Sequence, residues 1–397
     1  MTITGAGPAD RVHPGRVQPA PDDCEHGRTG TDPSDAGLPV PGPAEPGPVS
    51  LTAGARRCAA WWIIGLSAAL LGSVVLCVGI GPAPIAPSTV AGAIAHQLGL
   101  PVTPTWTDAE QAIVWTMRAP RVLLGVAVGA GLALCGAALQ AMVRNVLADP
   151  YILGISGGAS TGAAGAILFG LGAGAGQHAL PLSAFLGALG ASLLVFVIAR
   201  ANGQVTSLRL LLAGVAVGYA LSATTSFLIF ASDDVEGSRT VMFWLLGSLS
   251  LARWDPFLLL VLVLVAGSAG LLMLWSRRLD VLAHGDETAR SLGVRPNHAR
   301  IQVLTVVSLS TGAMVAAAGA IGFVGLVVPH LGRRLVGAAH ARLLPVVALL
   351  GAVLLIWADA LSRVLMQPRE LPIGIVTALV GAPFLLLLIR RMHSQNS

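Results

Sequence analysis

Apolar residues in this chain come in long uncharged runs broken by short polar turns, a pattern that predicts membrane-crossing helices. The clearest run covers residues 122–143, and roughly 20 uncharged residues at a helical rise span the hydrocarbon of a bilayer. Within it Gly125 and Gly129 stand four apart, as do Ala133 and Ala137, so one helix face is made of small residues suited to close helix contact in lipid. The turn that follows, Arg144-Asn145-Val146-Leu147-Ala148-Asp149-Pro150, cannot face lipid and belongs at a membrane surface or inside protein. Beyond it Gly154, Gly157, Gly158 and Gly162 again favour tight packing.

Taken in order, the pattern predicts spans over residues 61–80, 122–143, up to 171, 182–199, 208–230, 256–275, 301–318, 322–336 (short), 343–365 and 372–389. Residues 81–117 read as a Pro-rich loop with a short amphipathic helix, and 241–251 as an apolar helix too brief to cross. Residues 1–54 are rich in Pro, Gly and Asp and are predicted to be a disordered cytoplasmic tail, with the membrane domain over 55–397. Arg56 and Arg57 ahead of the first run fit an uncleaved inside anchor better than a signal peptide.

Composition agrees: 54% of the 397 residues are hydrophobic and only 11% charged, against about a quarter in soluble domains. All 24 basic residues of the Lys and Arg class are arginine, so a phosphate-binding loop ending in Gly-Lys-Ser/Thr cannot exist here. If ATP drives this protein, another polypeptide binds it. The arginines behind the net charge of +5 are scattered between apolar runs and form no single basic face, so nucleic-acid binding explains that charge poorly. Cys24, Cys58, Cys77 and Cys135 form neither a disulfide framework nor a metal-ligand spacing.

With the amino terminus inside and ten spans, fifteen arginines of the membrane domain fall on the inner side and six on the outer side, the expected cytoplasmic excess. Both termini are then cytoplasmic. Within the spans Asp359 and Arg363 are spaced i,i+4 and read as a local ion pair near the outer end of the ninth span. Proton antiport through Asp359 is the rival reading. The connection over 282–299 has the grammar of two short helices: Asp286 caps the first, Gly293 ends it and Pro296 opens the second, with Ala289 and Leu292 sharing a face.

Several stretches resemble the FecCD-type permeases of ATP-binding-cassette importers for iron–siderophores, haem and cobalamin. Arg118-Ala-Pro-Arg121, the Gly136–Gln140 helix end, the 145–159 turn, the GDETARSLG stretch from Gly285 to Gly293, the GAIGFVGLVVPH stretch from Gly319 to His330 and the ELPIGIVTALVGAPF stretch from Glu370 to Phe384 carry the likeness, over residues 56–391. Val146 stands where the family usually has proline. The resemblance implies an all-α polytopic membrane protein with about ten transmembrane helices, built like a cobalamin-importer permease of type II, in the cell membrane. It implies a transporter subunit and not an enzyme. The resemblance further implies coupling to the ATPase through Gly285, Asp286, Glu287, Ala289, Leu292 and Gly293, and binding-protein docking through Arg118, Arg121 and Arg369. An inner gate at Asn145, Leu147, Thr206 and Ser207 follows from it too. The partners implied are two copies of an ATPase subunit, an extracytoplasmic binding protein, a second permease copy and membrane lipid. It implies that no cofactor or metal is bound directly, ATP and magnesium residing on the ATPase. The cargo it favours is a ferric siderophore or similar chelate, with cobalamin or haem as alternatives.

Overall fold

The computed structural model describes residues 50–201 and 204–393, so the predicted tail lies outside the described residues except for its last five, which already belong to the first helix. That helix, α1 (Ser50–Gly79), is followed by α2 (Pro87–Gln97) in the Pro-rich loop. Next, α3 (Asp108–Ala112) starts on a capping box between Thr107 and Glu110 and runs through a π turn (Ile113–Arg118) into α4 (Ala119–Val143). Pro120 has no amide to donate, and the helix widens just ahead of it. The second span is therefore a continuous helix of 36 residues, Asp108–Val143, starting well before the predicted residue 122.

Helix α4 is the centre of the fold, buried along nearly its whole length. Its small face explains how. A Cβ on Gly129 would strike the carbonyl of Gly351, and one on Gly136 would strike that of Gly325, so two other helices approach α4 backbone to backbone. Arg144, in the left-handed conformation (φ 58°), ends α4. The polar turn is then closed by Asn145: its carbonyl accepts from the Ala148 amide at 3.1 Å and its Oδ1 from the Leu147 amide at 2.9 Å. These bonds hold the turn without the proline that Val146 replaces.

A single 3-10 turn (Pro150–Leu153) leads into α5 (Ile155–Phe169), and a second (Ala173–His178) into α6 (Ala179–Ala199). Two residue pairs, β1 (Arg200–Ala201) and β2 (Gln204–Val205), make a minimal antiparallel bridge before α7 (Ser207–Phe230). The brief helix expected over 241–251 runs instead as α8 (Val235–Leu245), because Asp234 accepts from the Gly237 amide at its start and Gly247 (φ 76°) stops it early. After α9 (Pro256–Leu274) come α10 (Ser276–Ala283), α11 (Asp286–Ser291) and α12 (Pro296–Ala318). The chain ends with α13 (Val324–Val336), α14 (His340–Val364) and α15 (Ile373–His393).

Seven helices among the described residues are long and apolar enough to cross a membrane, and α5 and α15 are shorter apolar helices. The eighth predicted span, α13, has 13 residues, about 20 Å at a helical rise, which is short of a bilayer's hydrocarbon. The architecture is all-α and polytopic, with about ten membrane helices packed around α4.

Candidate functional site

Two polar clusters lie at opposite ends of α4. At its start, Arg118 is buried and donates to the carbonyls of Val78 and Gly79, both at 3.0 Å, and Ala83 at 2.6 Å, clasping the end of α1. Arg121 reaches Asp359 at 2.9 Å and Glu370 at 2.9 Å, and Arg363 Nε lies 3.2 Å from the other oxygen of Asp359. The i,i+4 pair read from sequence is thus half of a larger arrangement joining α1, α4, α14 and the approach to α15. Arg118 and Arg121, expected as docking cations, are turned inward because buried carbonyls and carboxylates need them there. Arg369 is exposed. A cavity of about 630 Å³ opens beside this cluster, walled by Met117, Arg253, Trp254 and Glu370.

At the other end of α4, Gln140 Nε2 donates to the carbonyls of Ala148 (3.2 Å) and Gly325 (3.3 Å), while its oxygen accepts from Arg333 at 2.7 Å. One buried amide therefore fixes the polar turn against α13. Asp149 Oδ1 accepts from the Tyr151 amide at 2.9 Å, and the Tyr151 hydroxyl reaches the backbone of Ile321. Burial raises the Asp149 carboxyl to about 6, with the Tyr151 amide opposing it. Asp149 and Tyr151 line a groove of about 560 Å³ with Val215 and Tyr219 of α7 and Phe323 ahead of α13.

Beside this end sits the short helix α11. Gly285 (φ 118°) precedes it and Gly293 (φ 76°) ends it, as the spacing predicts. Asp286 does not cap it: its carboxylate is held by Arg300 through two bonds, at 2.7 and 3.1 Å, with Arg144 3.9 Å away. Nor do Ala289 and Leu292 share a face, since Ala289 is fully buried while Leu292, just past the last helical turn, is 62% exposed. Glu287 is exposed as well. Among the coupling candidates Asp286 and Ala289 thus point inward and anchor the helix, while Glu287 and Leu292 are exposed side chains beside the exposed Gly293. A further brace comes from α10, where Asp280 Oδ1 lies 2.6 Å from Nδ1 of His340 and accepts from its amide at 2.9 Å. Burial pushes the Asp280 carboxyl up, but those hydrogen bonds outweigh it and bring it below its ordinary value.

Of the gate candidates, Leu147 is exposed at the tip of the turn, Asn145 is occupied in closing it, and Ser207 is half-buried at the start of α7. Thr206 lines a crevice with Arg290 and Arg295 next to α11. Sequence reasoning left out Arg300, Glu370 and Tyr151, all of which hold the clusters together. Glu370 stood in a quoted motif and Arg300 at the mouth of a span, so their positions were visible although their partners were not. Among the described residues no cluster of His, Cys, Asp or Glu could hold a metal ion.

Residues 69–391 match the FecCD transport family. The chain belongs to that family. It is 45% identical over 302 residues to the cobalamin import system permease protein of Halobacterium salinarum, covering 76% of this chain and 78% of that one. To the Fe(3+)-citrate import system permease protein of Bacillus subtilis it is 41% identical, covering 71% and 82%. To the hemin transport system permease protein of Yersinia pestis it is 40% identical, covering 76% and 91%. A solved metal-chelate type ABC transporter in an inward-facing conformation superposes with a TM-score of 0.72 at 33% identity, over 83% of this chain and 98% of that one. This FecCD protein is a membrane transport subunit, not an enzyme.

Proposed function

We propose that this FecCD permease is the membrane subunit of an ATP-driven importer that carries a ferric siderophore or similar metal chelate into the cell. The observation that carries the reading is α11, braced by Asp286 on Arg300 with Glu287 and Leu292 left facing outward. An exposed leucine on a short, rigidly held helix suits a groove on a soluble partner, and the partner is an ATPase working as two copies with its own ATP and magnesium. The groove along Tyr219, Val215 and Phe323 suits a second permease copy, so that the cargo passes between the two. Arg369 is the docking group for an extracytoplasmic binding protein. Asp359 is matched by Arg121 and Arg363, so ion-coupled transport through it draws no support from an unpaired charge.

The test is uptake into proteoliposomes holding the permease, its ATPase and its binding protein. ATP-dependent uptake of a labelled ferric siderophore, absent for cobalamin and haem, is the expected result; uptake of cobalamin alone would overturn the cargo. Leu292→Glu should abolish uptake and co-purification of the ATPase while the permease still elutes as a single species. Uptake without any ATPase would overturn the energy source.

A further inference from the structure

Two neighbouring hollows beside α12 differ in chemistry and share one line of residues. The first is an apolar groove of about 310 Å³ between α6 and α12, walled by Leu193, Phe196, Ile301 and Leu304, with Leu210 of α7 at one end. The second is a polar crevice of about 380 Å³ at the start of α12, containing Arg290, Arg295 and Arg300, with Thr206 on its far side. Asn297 of the crevice and Ile301, Leu304 and Ser308 of the groove follow one another at i, i+4, i+7 and i+11, hence along one face of α12. Thr206, just ahead of α7, and Leu210 on it make the same step from crevice to groove. The polar hollow therefore caps the apolar one where the span leaves the hydrocarbon.

Charge sets the occupant. Three guanidinium groups face a single carboxylate, Asp286, in the crevice. Arg290 and Arg295 are exposed, whereas Arg300 is 4% exposed and its Nε, buried, has no hydrogen-bond partner. The start of α12, a helix of 23 residues, adds its positive end at Pro296. We propose that this site binds an anionic glycerophospholipid, its phosphate in the crevice and one acyl chain in the groove. Neutral lipid lacks the charge, and free phosphate would leave the apolar groove unused. Because Arg300 also holds Asp286, the bound headgroup sits directly behind the helix that faces the ATPase.

The full-length permease in mixed micelles can be photolabelled with phosphatidylglycerol carrying a diazirine near the middle of one acyl chain. Adducts are expected on α6 and α12 at the groove, displaced by unlabelled phosphatidylglycerol and not by phosphatidylcholine or inorganic phosphate. The exposed pair Arg290→Gln and Arg295→Gln should weaken labelling by roughly fivefold per arginine, the usual worth of a basic residue at an anionic membrane surface, and the corresponding Lys variants should retain it. Thr305→Trp, at the exposed rim of the groove, should block labelling with the arginines intact. Equal labelling by a phosphatidylcholine probe, displacement by phosphate, or no change in the Gln pair would overturn the site. Loss of ATPase binding in the Gln pair with adducts unchanged would give the crevice to the ATPase instead.

Discussion

Arg121 looks in sequence like a free cation at the mouth of a span, and its neighbours make it a structural one. It shares Asp359, 1% exposed, with Arg363, so Asp359 neutralises two guanidinium groups at once. Asp359→Ala leaves Arg363 with no carboxylate and Arg121 with Glu370 alone, and breaking a buried pair in this way costs about 3–5 kcal/mol. A loss of that order is expected in thermal unfolding of the detergent-purified protein. Arg369→Glu, by contrast, should leave unfolding unmoved and reduce binding-protein-stimulated ATPase activity; an equal loss of stability in both variants would erase the distinction between brace and docking group. Asp149 offers a pH test. Its carboxyl is raised in the folded state to about 6 from 3.8, so the folded protein holds the proton more tightly. The stability this gives is fully present below about 3.8 and disappears as pH rises through 6, by up to roughly 3 kcal/mol. Unfolding temperature should fall between pH 4.5 and 7 in the wild type, and this slope should flatten in Asp149→Asn, whose amide oxygen can still accept from Tyr151.

Helices were legible wherever one helix supplied its own signal. The runs behind α6, α7, α9 and α14 are apolar and bounded by Pro or Arg, so periodicity and charge place them to within a few residues. Boundaries fixed by another part of the chain were not. The end of α8 is set at Gly247, whose carbonyl accepts from Ile373, and Leu246 accepts from Gly374, contacts that no local pattern announces. The inward turn of Ala289 against the outward one of Leu292 has a local origin, because Leu292, next to Gly293, has already left helical geometry. The small residues of α4 were read as packing sites, and their energetic weight can be measured. Gly136→Val places side-chain carbon against the Gly325 carbonyl, a backbone group that cannot swing aside, whereas Gly65 on α1 has nothing within 4 Å. Overpacking of this kind costs 1–3 kcal/mol or more. Gly136→Val is therefore expected to cut the yield of monodisperse protein severalfold and Gly65→Val to leave it unchanged, as read by fluorescence-detected size-exclusion chromatography.

At the scale of the molecule, charge is sorted between two ends, and this sorting links the arginine count to the structure. Arg118, Arg121 and Arg363 meet at one end, while Arg144 and Arg300 meet around Asp286 at the other. Those are the groupings that alternation along ten spans predicts, although α13 is too short to cross by itself. Phe323, held at φ 70°, starts this helix and itself lines the groove with Tyr151 and Tyr219. The side each end faces is proposed from charge, since translocated loops rarely keep this many arginines. Cysteine labelling can decide it. In a background with Cys24 and Cys58 changed to Ser, Thr288→Cys on α11 and Arg369→Cys each offer an exposed site. In intact cells a membrane-impermeant maleimide should modify the cysteine at 369 and spare the one at 288 until the membrane is opened. The reverse pattern would turn the permease over, put α11 out of reach of any cytoplasmic ATPase, and remove the basis for coupling through Glu287 and Leu292.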